Sequence, residues 1–292
     1  MLFYTKNDVD LFDKNAGGKL TRSGYMYVND SSSELTKDFP SGVREFWFSI
    51  KAYDYSSGDP LKIFIPVVFK DGHTGTICFR SSKSVYLPTG DGSNQVETKF
   101  TKNTPGQNTW YTCRLHCWID KEDSTKLYFS AYINGKPLVE GLTSVAQKNA
   151  EFSYFKNLSF RYDSYLNQYE FTDVIISDKF FGESAKIKTV PITQIKNWIK
   201  NPDTGQYYAN KINQQGTLVT DSLLLADLEK YNIVSVAFSG KVTREGDNIK
   251  NLEVTVGDNK INSNIYYGVT PLCVEVGNDL TLLPNITIET KG

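Results

Sequence analysis

Trp110-Tyr111-Thr112-Cys113-Arg114-Leu115-His116-Cys117-Trp118-Ile119, the polar loop 120–126, and Leu127-Tyr128-Phe129-Ser130-Ala131-Tyr132-Ile133-Asn134-Gly135 form the stretch that decides the fold. In the first run the odd positions are Tyr, Cys, Leu, Cys and Ile, while the even ones are Trp, Thr, Arg, His and Trp. The second run repeats the scheme and closes on Asn134-Gly135. A period of two gives each strand one apolar face. Two such strands joined by a short polar loop read as an antiparallel hairpin on a sandwich. With Trp118 opposite Tyr128, Arg114 falls opposite Tyr132 and His116 opposite Ser130. Arg114, His116, Trp118, Tyr128 and Tyr132 then share the face turned away from the core.

Outward from this hairpin the same alternation recurs. Phe46, Phe48 and Ile50 alternate with Glu45, Trp47 and Ser49. After the turn cluster 55–60 comes the apolar run Leu61–Phe69, and Asp71-Gly72 makes a tight turn into Thr76-Ile77-Cys78-Phe79. Leu158, Phe160 and Tyr162 form another strand, and Phe171-Thr172-Asp173-Val174-Ile175-Ile176-Ser177-Asp178 closes the block. Residues 1–42 read as irregular lead-in with one or two edge strands. Regularly spaced strands with turns between them predict a sandwich over 1–189. After Pro191 the pattern changes. Ile192–Ile199 reads as a short helical turn, and 201–216 as turn and linker. A helix is expected near 222–230 behind an Asp221-Ser222 cap. Short strands follow at Val234–Phe238, Leu252–Val256, Ile265–Tyr267, Leu272–Val276 and Ile286–Ile288. A small, mostly β domain is expected over 190–292.

Composition agrees with an all-β chain. Aromatics make up 13% of the residues, with 18 Tyr and 17 Phe, and such side chains suit a pleated surface. The net charge of −1 argues against nucleic acid as the main partner, because phosphate neutralisation needs clustered Lys and Arg. The N-terminal residues do not read as a signal peptide, and no apolar run reaches the roughly 20 residues needed to span a bilayer. Synthesis in the cytoplasm is therefore expected. Four cysteines are present. Cys113 and Cys117 are separated by roughly 13 Å of strand, beyond disulfide reach, and all four read as free thiols rather than metal ligands.

The block Trp110-Tyr111 … Tyr128 … Tyr132-Ile133-Asn134-Gly135-Lys136-Pro137-Leu138-Val139 resembles the central hairpin of concanavalin A-like and laminin-G-like jelly rolls. The closing strand at Phe171–Asp178 is similar to that family's last one. The resemblance implies a concanavalin A-like β-sandwich over the first domain. A sandwich of this kind followed by a small β domain also resembles the accessory structural proteins of tailed bacteriophages. That second resemblance implies a virion or tail-associated protein whose lectin-like domain serves adhesion or assembly. Its partners would be surface glycans or other virion proteins, and a homo-oligomer would fit. The alternatives are a stand-alone bacterial carbohydrate-binding protein and a glycoside hydrolase or lyase with an unrecognised site.

Enzymes on this fold that cleave β-glucans carry Glu-x-Asp-x-x-Glu or Glu-x-Asp-x-Glu on one strand, so that two carboxylates share a face. Neither spacing occurs here. Glu122-Asp123 lie in a loop, and Glu170 with Asp173 do not share a strand face. The Gln-Ile-His of alginate-lyase sites is absent too, as are serine-hydrolase, metalloprotease and phosphate-loop motifs. A non-enzymatic protein without cofactors is expected. Related domains sometimes bind calcium, and Asp120, Asp123 or the loop at Asp91 would be the place for it, but no ligand set is specific enough to name. What remains is the outward face. Its aromatic rings could pack on the apolar faces of sugars while Arg114 and His116 donate to hydroxyls. Amphipathic Tyr and Trp suit a packed interface equally well.

Overall fold

The computed structural model describes the chain apart from residues 1, 6, 29–32, 56–60, 91–94, 148–149, 162–168, 182–189, 221–225, 227, 229–235, 245, 266–267 and 278–285. Backbone contacts divide it into two compact units, Met1–Lys186 and Ile187–Gly292. The chain is all-β, built from antiparallel pairs. In unit 1, residues 1–42 are more regular than expected. They supply β1 (Leu2–Thr5), β2 (Lys14–Ala16), β3 (Lys19–Leu20), β4 (Met26–Tyr27) and β5 (Glu34–Asp38). Next come β6 (Glu45–Asp54), β7 (Lys62–Phe69), β8 (Thr74–Arg80), β9 (Ser84–Pro88) and β10 (Gln95–Lys99). The deciding hairpin is β11 (Trp110–Ile119) and β12 (Lys126–Ile133), followed by β13 (Lys136–Val145), β14 (Phe152–Phe155), β15 (Asn157–Arg161) and β16 (Tyr169–Ser177).

Among the described residues these strands form two eight-stranded sheets. One runs β13-β12-β11-β6-β16-β4-β3, with β1 also paired to β16. The other runs β10-β9-β8-β7-β15-β5-β2, with β14 also on β7. Sequence alternation explains why they face each other. Phe46, Phe48 and Ile50 of β6 and Cys113, Leu115 and Cys117 of β11 are fully buried, as are Ile63, Ile65 and Val67 of β7. Rings interlock across the gap: Phe46 packs edge-on against Phe155 at 5.0 Å, and Phe79 meets Phe129 at 5.9 Å. The hairpin between β12 and β13 turns on Asn134 and Gly135 at φ 50° and 77°, left-handed geometry that this residue pair tolerates best. In β16 the register shifts between Thr172 and Ile175, with Asp173 at φ 52°. This bulge lets Phe171 and Val174 both point inward.

Unit 2 differs from expectation at its start. Ile192–Ile199 is not a helical turn, because Ile192–Lys196 is a strand, β17. The linker-like stretch also holds strands: β18 (Ile199–Lys200), β19 (Tyr207–Tyr208) and β20 (Gln215–Thr220). Strand polarity misled the reading here, since only Leu218 of β20 is buried apart from Gly216. Gly216 is needed for close approach, because a Cβ there would lie 2.6 Å from the Trp198 indole. The unit continues with β21 (Val236–Arg244), β22 (Asn251–Val256), β23 (Asn259–Asn264), β24 (Gly268–Gly277) and β25 (Thr287–Lys291). Its five-stranded sheet runs β17-β20-β25-β22-β23. A small core of Leu218, Leu252, Val254, Val256, Ile265, Ile286 and Ile288 holds it. Most of the helix expected near 222–230 lies outside the described residues; Ala226 and Leu228 are helical.

Cys78, Cys113 and Cys117 are free thiols, and the side chain of Cys273 lies outside the described residues. One polar group stands out within the first core. Asp54, 3% exposed, accepts from the Tyr111 hydroxyl at 2.7 Å, the Ser81 hydroxyl at 3.3 Å and the Leu61 N–H at 3.2 Å. Loss of hydration pushes its pKa from 3.8 to about 6, although those three donors pull it back. The folded carboxyl thus holds its proton to higher pH than the unfolded one. Its contribution to stability is full below about pH 4 and is lost as pH rises through about 6. A rise of this size corresponds to about 3 kcal/mol at most. In Asp54→Asn, the loss of unfolding free energy between pH 4 and pH 7 is expected to shrink by up to that amount. Urea unfolding at the two pH values measures it, and an unchanged difference rejects the assignment.

Candidate functional site

The outward side of the first sheet is set by β11 and its two neighbours. Trp118 pairs with Tyr128, Arg114 with Tyr132 and His116 with Ser130, the register that the alternation implies. On its other side β11 pairs with β6, which brings Trp47 opposite His116, Glu45 opposite Trp118 and Ser49 opposite Arg114. Three strands therefore contribute to one surface.

Its main feature is a row of stacked rings. Trp47 lies on His116 at 3.7 Å with planes 8° apart, and His116 lies on Trp118 at 4.2 Å and 22°. Trp118 lies on Tyr128 at 5.0 Å and 10°. The four rings are neighbours in one layer above the sheet, so their normals run along the sheet and the rings stand upright. Most ring faces are thereby used on one another. All four side chains remain half-buried, and the face of Tyr128 turned away from Trp118 stacks on no other ring among the described residues.

The polar members are partly engaged. His116 Nε2 sits 3.1 Å from Glu45 Oε1, and Lys121 Nζ lies 3.9 Å from the other oxygen of Glu45. Burial holds the His116 pKa below its ordinary value, against the upward pull of the Glu45 carboxylate. The Tyr132 hydroxyl donates to Glu140 at 3.0 Å, and burial and that carboxylate both raise its pKa. Arg114 belongs to the face but is only 5% exposed. Phe180 and Phe181, just beyond β16, lie over its guanidinium at 6.0 and 5.8 Å. Direct donation from Arg114 to a sugar hydroxyl is thus prevented as the face stands. Phe180 also leans on Trp47 at 4.7 Å and is itself 53% exposed.

Sequence reasoning missed Trp47, Glu45, Phe180 and Phe181. The period of two did place Trp47 on the outward side of its strand, but nothing local says that β6 pairs with β11. Of the carboxylates considered for calcium, Asp120 accepts the N–H groups of Glu122 and Asp123. Asp123 accepts from Thr125 and pairs with Lys126 at 2.9 Å, which lowers its pKa to about 2. Both thus serve the turn of their own loop. Asp91 lies outside the described residues. Glu170 accepts from the Tyr55 hydroxyl at 2.6 Å, away from Asp173 on the bulge.

No protein-family model matches the chain, and no curated protein sequence does. Among solved structures, the chain is similar to an alginate lyase, Aly36B, in complex with alginate trisaccharide, at 12% identity and a TM-score of 0.38, covering 57% of this chain and 88% of that one. It is also similar to the endo-β-1,4-glucuronan lyase of Trichoderma reesei, at 11% identity and a TM-score of 0.39, covering 61% and 95%. A sialidase of Trypanosoma rangeli matches at 9% identity and a TM-score of 0.39, covering 62% of this chain and 31% of the sialidase. The expectation that the chain is not an enzyme is corrected by this finding. These similar structures are enzymes, and the absence of the motifs sought in the sequence excludes only those arrangements of catalytic groups. No residue role is carried over from them.

With only His73 and His116 in the chain, the row can be followed directly. Glu45→Gln removes the influence that raises the His116 pKa, so its titration is expected to move to still lower pH. Two-dimensional NMR of the imidazole protons reads this. A shift to higher pH, or none, rejects the contact.

Proposed function

We propose that the first unit binds glycans on the outward face of the β6-β11-β12 sheet, with contact centred on Trp118 and Tyr128. The observation that carries this reading is the stacked row Trp47–His116–Trp118–Tyr128, held upright and half-buried on a face that the core does not need. A rigid aromatic surface with polar edges suits a sugar, which presents apolar C–H patches and hydroxyls within one ring. The face of Tyr128 turned away from Trp118 supplies the stacking surface. The row edges, together with Glu45 and Lys121, supply donors and acceptors. Mutual stacking keeps these groups in place before a ligand arrives, which lowers the entropic cost of binding.

In the finer reading the unit serves adhesion or assembly in a phage-type virion or tail, a reading supported by the two-unit arrangement of the chain. The alternative is a carbohydrate-binding protein acting alone. Trimer-sized or larger particles in solution support the first, and a monodisperse monomer supports the second.

A glycan array probed with the native chain, Trp118→Ala and Tyr128→Ala tests the binding itself. Native binding to a subset of glycans is expected, with at least a tenfold loss in each variant. The melting temperature should fall by no more than a few degrees, since both side chains are only half-buried. Silence across the array, or full binding by both variants, overturns the proposal.

A further inference from the structure

A second aromatic group occupies the far end of the same two strands. Trp110 of β11 pairs with Tyr53 of β6, their rings 5.5 Å apart. Tyr25 lies against Trp110 at 4.6 Å, and Tyr55 stands edge-on to Tyr53 at 4.8 Å. Lys51 places its ammonium 5.3 Å from the Trp110 ring centre. These side chains are not core. Residues 52, 54 and 111 point inward from the same strands and are buried, whereas Tyr25, Tyr53 and Trp110 remain half-buried and Tyr55 is 43% exposed. Their polar handles are a lysine, three phenols and the Glu170 carboxylate, again a mixture of ring and hydrogen-bonding groups.

From Trp110 to Trp118 the face extends eight residues along one strand, about 27 Å at 3.4 Å per residue. Phe180 stands between the two ends. It tilts 58° from Trp47 rather than stacking on it, and it is more than half exposed. Between the aromatic ends, the outward positions of β6 and β11 are Ser49, Lys51, Thr112 and Arg114, with no carboxylate among them. The outward side of these strands therefore offers aromatic contacts at both ends and, over the buried Arg114 midway between them, at Phe180.

We infer that this face takes a linear oligosaccharide lengthwise, with a second saccharide subsite at Trp110, Tyr53 and Lys51 and an intermediate contact at Phe180. The inference rests on the glycan-binding reading above and goes beyond it in ligand class. A terminal sugar would use the Tyr128 end alone, whereas a chain of several pyranose units gains from every contact point. Linking contacts in one molecule raises affinity without any change at the first site.

Two ladders test it by calorimetry, cello-oligosaccharides as neutral probes and hyaluronan oligosaccharides as acidic ones, each from disaccharide to octasaccharide. For a ladder that binds, affinity is expected to rise at least tenfold from the shortest binding member to the octasaccharide. Trp110→Ala, Lys51→Ala and Phe180→Ala should reduce octasaccharide affinity several-fold or more and leave the shortest member unchanged. Trp118→Ala should weaken all lengths. Lys51 and Phe180 are exposed, so their variants keep the test readable should Trp110→Ala disturb folding. Equal affinity at all lengths, or far-end variants that leave the octasaccharide unaffected, overturns the lengthwise site while leaving glycan binding intact. Binding of neither ladder at any length, or binding indifferent to Trp118→Ala, removes the underlying reading and this one with it. Loss of self-association in Trp110→Ala, with sugar affinity unchanged, would instead assign the far end to a protein partner and also overturn the inference.

Discussion

The register in which β11 pairs with β6 and β12 governs both sides of the first sheet. One set of alternate residues, Tyr111, Cys113, Leu115, Cys117 and Ile119, fills the core. The other set, Trp110, Thr112, Arg114, His116 and Trp118, makes the outward face. A slip of one residue would exchange the two sets, driving an arginine and a histidine into the apolar core while turning five core side chains outward. The energetic gap this creates is large, since each fully buried apolar side chain contributes about 1.5–3 kcal/mol. The stacked row therefore inherits its order from the core. Trp47 meets His116 because Phe48 must meet Leu115.

The local half of this arrangement was legible from the residues alone. The alternation from Trp110 to Ile133 and the short loop between β11 and β12 imply the pairing of Trp118 with Tyr128. What lay beyond reach was non-local. Glu45 and His116 are 71 positions apart, and no local pattern announces that their strands are neighbours. The cover over Arg114 was hidden for a related reason. Phe180 and Phe181 read as ordinary apolar residues after a strand, and only the way β16 lies along β6 carries them onto the guanidinium. The strands of 1–42 and of 192–220 escaped because most are short and largely exposed, so they lack the apolar periodicity that identifies a half-buried strand.

Asp54 places a carboxyl group inside the sandwich. Its place at the end of β6 puts a carboxylate inward, where Tyr111, Ser81 and the Leu61 N–H surround it. An interior polar group is tolerated only when its hydrogen bonds are made, and these bonds link β6 to β11 and to segments of the opposite sheet. Ser81 follows β8, and Leu61 precedes β7. The network ties the two sheets together beneath the Tyr53 and Trp110 end of the outward face.

The distribution of indoles has an optical consequence. The chain contains four tryptophans. Trp47, Trp110 and Trp118 all lie on the outward side of the first sheet, and Trp198 packs against the core of the second unit. Ultraviolet emission of the whole chain is thus weighted toward one surface. Two of those emitters flank a single imidazole at 3.7 and 4.2 Å, close enough for its charge state to alter their quantum yield. The protein carries its own reporter for whatever touches that face, with no label attached.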